Sequence, residues 1–278
     1  MLRVGKPKKH TTPALAASVL QERVVWRASR STARSGFARP FPADPPMAPS
    51  SSTIRTSQTD DLRTPPRVLV TAGPTQEPID AVRFIGNRSS GRMGLAIASE
   101  AHARGWPTTL LLGPVSLPPP DTLDVQHFRT TAELDELLRS HWPSADILFM
   151  AAAVADFLPA TTSEDKLSRH DGPRSLELLP APDLIKGLAS SSREDQTIVG
   201  FGLEPARDLA ERAQGKLEGK SLDALVANPL ETMDSTVVDA TLLIRNQPDR
   251  HPPQQLPKAE FAAWLLDEVT SFHPLSRS

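Results

Sequence analysis

The residues best suited to chemistry cluster between Gly73 and Gly94, which read GPTQEPIDAVRFIGNRSSGRMG. Ser89, Ser90, Gly91 and Gly94 fall where a helix begins, so unpaired N–H groups and the positive helix end can face a phosphate. Glycine lets the backbone approach such an anion closely. The run is neither G-x-G-x-x-G nor G-x-x-x-x-G-K-[ST], so the standard dinucleotide and P-loop fingerprints do not apply. On spacing alone, Ser89 as a helix N-cap with glycines that serve only the turn explains the pattern equally well. Lys216 and Lys220 are four apart, which on a continuing helix puts two ammonium groups on one face as a clamp for a triphosphate. Gly215 and Gly219 weaken that helix, and a solvated face is the alternative. Asp156 follows the most apolar run, Asp146 to Val154, at the strand end where open α/β sheets place ligand groups; a buried paired aspartate is the alternative. Lys166 lies in a polar stretch from Thr161 to Gly172 that spacing alone reads as an ordinary solvated loop.

These side chains need a scaffold, and the pattern from Arg67 onward supplies one. Val68 to Val70 reads as a buried strand opening into the loop Thr71–Thr75. Ser89 to Gly105 reads as a helix, with Met93, Ile97 and Ala101 at i, i+4 and i+8 on one face. Strands follow at Thr108–Leu112 and near Val125–Phe128. The next helix is Ala132–His141, with Thr130 and Glu133 as a capping box. Asp146–Val154 and Ile198–Leu203 read as strands, Pro205–Lys216 as a helix with proline in its first turn, Leu222–Ala227 and Ala240–Ile244 as strands, and Ala259–Ser271 as a closing helix. Alternating β and α segments with short continuous apolar strands predict an α/β, Rossmann-like three-layer fold: a mostly parallel sheet, helices on both faces and a C-terminal extension.

Composition prunes the chemistry. The 278 residues contain no cysteine and no tyrosine, which removes disulfides, thiolate metal sites, a cysteine nucleophile and any phenol acid. The formal charge of −2 averages two unlike parts. Residues 1–66 hold 11 Lys and Arg against 4 Asp and Glu, whereas residues 67–278 hold 20 against 29. The acidic body would repel a nucleic-acid backbone, so no nucleic-acid partner is expected. The basic head, with 9 of the 28 prolines, reads as a disordered extension or an upstream start before Met47. Organellar import, with Ala14–Trp26 as an amphipathic helix, is the alternative to a cytoplasmic location. The longest apolar run, Ile147–Ala155, falls far short of the roughly 20 residues of a membrane span.

The stretch VLVTAGPTQEPIDAVRFIGNRSSGRMG resembles the opening of phosphopantothenoylcysteine synthetase, a domain fused behind a flavin-dependent decarboxylase in many bacteria. Further segments follow in the family's order: Ala151–Phe157 (AAAVADF), Glu164-Asp-Lys166, Pro182-Asp183, Val199–Glu204 (VGFGLE), Lys216 with Lys220, and Leu222–Asn228 (LDALVAN). The resemblance spans nearly all of 67–272 and implies a ligase of coenzyme A biosynthesis. Such an enzyme joins 4′-phosphopantothenate to L-cysteine through an acyl-nucleotidyl intermediate, with CTP favoured over ATP, magnesium expected and no flavin. It further implies a homodimer, with the strand near Ala240–Ile244 as a candidate interface. At this length the chain is expected to stand alone, with a separate decarboxylase acting downstream.

Residue roles carry over where the motifs match. The resemblance makes Asn87 the residue that holds the acyl-nucleotide intermediate, Arg83 a ligand of the substrate carboxylate, and Lys166 the flap lysine over the triphosphate. It assigns the nucleotide to Gly73, Ser89, Gly91, Gly94, Met150, Ala151, Ala152, Asp156, Lys166, Pro182, Asp183, Leu184, Ile185, Phe201, Lys216, Lys220 and Asn228. Pro182–Ile185 is expected to be a turn, and the metal ligands stay unassigned. Two departures stand out: the family's Lys-Ile-Lys-Lys flap is here Lys166-Leu167-Ser168-Arg169, and Asn228-Pro229 leads into an unusual Met233–Val238. A short-chain oxidoreductase is a rival on layering alone, but its Tyr-x-x-x-Lys cannot occur without tyrosine. A non-catalytic nucleotide-binding module is the other rival; it should have lost Asn87, Lys166, Lys216 and Lys220 first.

Overall fold

The computed structural model describes residues 64–230 and 235–274. The expected basic extension up to residue 63, its helix at Ala14–Trp26, and Met233 and Asp234 lie outside the described residues. Seven strands form one sheet: β1 (Val68–Ala72), β2 (Thr108–Leu112), β3 (Asp124–His127), β4 (Ile147–Met150), β5 (Thr197–Glu204), β6 (Ala224–Pro229) and β7 (Thr241–Ile244). Their spatial order is β3-β2-β1-β4-β5-β6-β7. All neighbours are parallel except β6 and β7, which pair antiparallel from Ala224 opposite Ile244 to Ala227 opposite Thr241.

Strand alternation separates two apolar layers. Val68, Val70 and Ala72 of β1 face a core built with α1 (Arg92–Ala103) and α5 (Lys258–Phe272). Leu69 faces the other core, built with α2 (Thr131–His141), α3 (Leu184–Ala189) and α4 (Leu209–Gly219). Both faces of the sheet are covered, which is why its strands read as continuous apolar runs rather than alternating ones. The capping box before α2 forms with both arms: Thr130 accepts the Glu133 N–H, and the Glu133 carboxylate accepts the Thr130 N–H.

Local boundaries of the helices differ from expectation in three places. Helix α1 starts at Arg92, and its N-cap is Gly91 at φ 69° rather than Ser89; the Ser89 hydroxyl instead accepts the Gly91 N–H (3.3 Å). The helix expected over Pro205–Lys216 opens with a 3₁₀ turn at Ala206–Asp208 and only then becomes α4, which Lys220 closes. Pro182–Ile185 is the start of α3, where the Asp183 carboxylate accepts the Lys186 N–H (3.2 Å). Six residues are too few to show a helical period, so only this cap could have revealed it.

Candidate active site

The chain winds outward from β1 to β3 and then returns to β4 on the other side of β1. Such a reversal opens a crevice at the strands' C-terminal ends. Here it is a cleft of about 700 Å³. Two buried threonines shape it. Thr71 accepts the Ala152 N–H (3.0 Å) and donates to Met150 Sδ (3.4 Å), and Thr75 accepts the Ala155 N–H (3.0 Å). The Ala153 N–H donates to the Gly73 carbonyl (2.9 Å). These bonds take N–H groups that a longer strand would give to a ladder, so the strand expected to run to Val154 stops at Met150.

Most of the predicted residues meet in this cleft. Met150 lines it from the end of β4, Ala152 and Asp156 from the segment that follows, Phe201 from β5, and Pro182, Asp183, Leu184 and Ile185 from the start of α3. Asn87 lines it too, and its Nδ2 donates to the Val154 carbonyl (2.8 Å). Asp156 is exposed, which excludes the buried paired aspartate. Lys216 and Lys220 both line the cleft although α4 ends at Gly219, because Lys220 is its C-cap. Each ammonium has an acidic partner. Lys216 pairs with Glu204, a buried side chain of β5 that also faces Arg212 (3.6 Å), and Lys220 pairs with Asp183 (3.1 Å). An anion entering the cleft would have to compete with those carboxylates for the two lysines.

The remaining predicted residues lie elsewhere. Ala151 sits between two lining residues without lining the cleft, and Asn228, half-buried on β6, leaves that place to Leu203 opposite it and to Leu230. Ser89 and Ser90 line a second pocket of about 450 Å³ with Gln76, Arg92 and Pro114 to Leu117. Gly73 and Gly91 hold left-handed conformations (φ 82° and 69°), and a Cβ on either would strike Val115 Cγ1 at 2.9 and 2.7 Å. A Cβ on Gly94 would stand 2.5 Å from Ala72 Cβ and 2.8 Å from the Thr71 carbonyl. On their Cα faces these three glycines admit neighbouring protein atoms: at Gly94 the close approach is helix to strand, and at Gly73 and Gly91 it is to the Val115 side chain.

Arg83 and Lys166 also lie outside the cleft lining, and Arg83 is joined to the loop that carries Lys166. Arg83 Nη2 donates to the Leu167 carbonyl (2.9 Å), and Arg83 Nη1 lies 3.5 Å from the buried Asp80 carboxylate. Lys166 is exposed on the Thr161–Gly172 flap, which includes a 3₁₀ turn at Arg169–Asp171. Sequence reasoning missed Asp80 and Glu204. Asp80 accepts the Val82 and Arg83 N–H groups (2.8 and 2.7 Å), an Asx-type turn whose signal was an aspartate in a short non-periodic stretch. The backbone N–H of Val82 foremost, against the opposing effect of burial, holds the Asp80 carboxyl below its usual range. No group of three or more metal-ligating side chains occurs among the described residues, and none of their helices is long and apolar enough to cross a membrane.

Comparison with known proteins places this geometry in a family. The model of the DNA/pantothenate metabolism flavoprotein C-terminal domain matches residues 64–272. Over 218 residues the chain is 37% identical to the coenzyme A biosynthesis bifunctional protein CoaBC of Mycobacterium bovis, covering 74% of this chain and 52% of that protein. Over 166 residues it is 45% identical to a cysteine/cysteine sulfinic acid decarboxylase of an unknown prokaryote, covering 59% and 46%. The chain thus spans about half the length of the curated relatives it matches. Among solved structures, the C-terminal domain of a CoaBC protein superposes with a TM-score of 0.62 at 31% identity, covering 73% of this chain and 93% of that one. A Cab2 mutant in complex with phosphopantothenate-cysteine shares the fold with a TM-score of 0.64 at 20% identity, covering 78% and 90%. With the matched region holding the whole cleft and all seven strands, the chain belongs to the DNA/pantothenate metabolism flavoprotein C-terminal domain family, the phosphopantothenoylcysteine synthetases that its motifs resemble.

Proposed function

We propose that this chain joins 4′-phosphopantothenate to L-cysteine in two half-reactions at the β1/β4 cleft. In the first, a substrate carboxylate oxygen attacks the nucleotide α-phosphorus, and the bond to pyrophosphate breaks. In the second, the cysteine amine attacks the acyl carbon, loses its proton, and the nucleoside monophosphate leaves. The observation that carries this reading is the convergence of Asn87, Lys216 and Lys220 on one cleft at the switch point. Two ammonium groups can offset charge on the departing pyrophosphate, and a carboxamide can orient the mixed anhydride without adding charge. Arg83 is the proposed ligand of the substrate carboxylate. Lys166 is the proposed cover of the triphosphate as the flap closes. Gly73, Ser89, Gly91, Gly94, Ala151 and Asn228 remain proposed nucleotide contacts.

Magnesium would enter with the triphosphate, and the exposed Asp156 carboxylate in the cleft would be the protein group available to hold it. It supplies charge neutralisation on the phosphates. CTP is the proposed nucleotide, and the cytoplasm the proposed setting. The proposed homodimer uses the exposed apolar residues Phe84, Phe157, Leu178 and Leu179 on two neighbouring hairpins. The strand at Thr241–Ile244 suits it less, because Leu242, Leu243 and Ile244 are buried in the chain's own core. Sedimentation at micromolar concentration should give the dimer mass; a monomer mass refutes the association. The enzymatic test supplies phosphopantothenate, cysteine, Mg²⁺ and either CTP or ATP, and follows pyrophosphate and the amide product. No cysteine-dependent product with either nucleotide would sink the ligase reading.

A further inference from the structure

The Asp80 carboxylate does more than close its own turn. Oδ1 accepts the Val82 and Arg83 N–H groups, whereas Oδ2 accepts the N–H of Leu167, 87 residues away, at 3.1 Å. Arg83, which lies beside the same carboxylate, donates to the carbonyl of that same Leu167 (2.9 Å). Both backbone polar groups of the residue that follows Lys166 are therefore held by one acid–base pair. The flap is anchored along the same loop at two further points, where the Ser163 N–H donates to the Ile79 carbonyl (3.1 Å) and the Thr162 hydroxyl to the Pro78 carbonyl (3.1 Å). The Asp80 side chain is buried, so the three bonds that its carboxylate accepts are partly shielded from competing water, whereas the Arg83–Leu167 bond is exposed.

We infer that Asp80 is a positioning residue: with Arg83 it clamps Leu167 and so fixes the root of the flap from which Lys166 reaches the nucleotide. The kinetic part of this inference rests on the ligase reading; the clamp itself does not. Asp80→Asn separates the two jobs of the carboxylate. With its oxygen in the Oδ1 place, the amide keeps the turn and sets an NH₂ donor against the Leu167 N–H donor. The flipped amide sets that donor against two N–H groups, which is worse. The substitution therefore releases the flap and spares the turn.

The direct readout is tryptic cleavage of the Lys166–Leu167 bond in the full chain. Asp80→Asn is expected to speed it by about tenfold at unchanged melting temperature, because cleavage tracks the population of the open flap. Cleavage at the wild-type rate overturns the clamp. This readout needs no turnover, so it decides the clamp even where the ligase reading fails. The second readout is pyrophosphate release at saturating nucleotide. Asp80→Asn is expected to lower kcat by about tenfold in the wild-type background and by less than about twofold when Lys166 is already alanine, since residues acting as one unit are not additive. Equal losses in both backgrounds, or a loss confined to KM, overturn the positioning role.

Discussion

Gly94→Ala tests whether the glycine of this motif serves packing or ligand approach. The substitution has two opposing effects. Gly94 lies inside α1, so alanine should stabilise by about 1 kcal/mol through helix propensity. The new Cβ, however, would stand 2.5 Å from Ala72 Cβ, 2.8 Å from the Thr71 carbonyl and 3.1 Å from Ala72 Cα. Those atoms belong to a fully buried strand paired on both sides, so they cannot yield as a flexible side chain would. Overpacking of this kind costs roughly 3 kcal/mol, at the upper end of the usual range. The clash outweighs propensity by about 2 kcal/mol, which in a domain of this size lowers Tm by about 4–8 °C. Gly215→Ala is the control. Gly215 lies inside α4 with no atom within 4 Å of the new Cβ, so propensity acts alone and Tm should rise by about 2–4 °C. Thermal unfolding by circular dichroism reads both. A Gly94→Ala melting temperature at or above that of the unsubstituted chain would refute the packing argument.

Three other substitutions probe the site and its frame. Asn87→Ala should still release pyrophosphate but fail to ligate cysteine, since its proposed task begins at the intermediate; loss of both half-reactions in equal measure contradicts that assignment. Thr71→Val keeps the side-chain shape but leaves the Ala152 N–H without its acceptor. It should cost about 1–3 kcal/mol in denaturant unfolding, and a change under 0.5 kcal/mol, roughly the scatter of neutral substitutions, would show that the hydroxyl does not anchor the cleft segment. His273 is buried, and burial lowers its pKa although Asp146 and Asp195 oppose this; its Nδ1 shares a 2.8 Å hydrogen bond with the Thr197 hydroxyl. The unfolded chain then binds the proton more readily, so stability is full above about pH 6.5 and falls as pH drops below it towards the folded pKa. His273→Gln should flatten that part of the Tm–pH curve, and an unchanged slope rules the histidine out as its source.

The seven strands and four of the five helices announced themselves in the sequence through local signals: apolar runs, helical spacing and one capping box. Helix α3 did not, because six residues make fewer than two turns, too few to repeat a helical period. The motif order named the family, and it brought Asn87, Asp156, Phe201, Lys216 and Lys220 to a common site before any contact was visible. Spacing could not say where β4 ends, since that depends on hydroxyls of Thr71 and Thr75 some 80 residues away. Nor could it show that Gly94 packs against Ala72, as a glycine's neighbours across space leave no mark on its own segment. The same holds for the acids that partner the cations: Glu204 on Lys216, Asp183 on Lys220 and Asp80 on Arg83. Local sequence determined the elements and their chemical inventory, because propensity and periodicity act over a few residues. Tertiary structure decided which charges meet, because Coulombic and hydrogen-bond partners are chosen by distance in space.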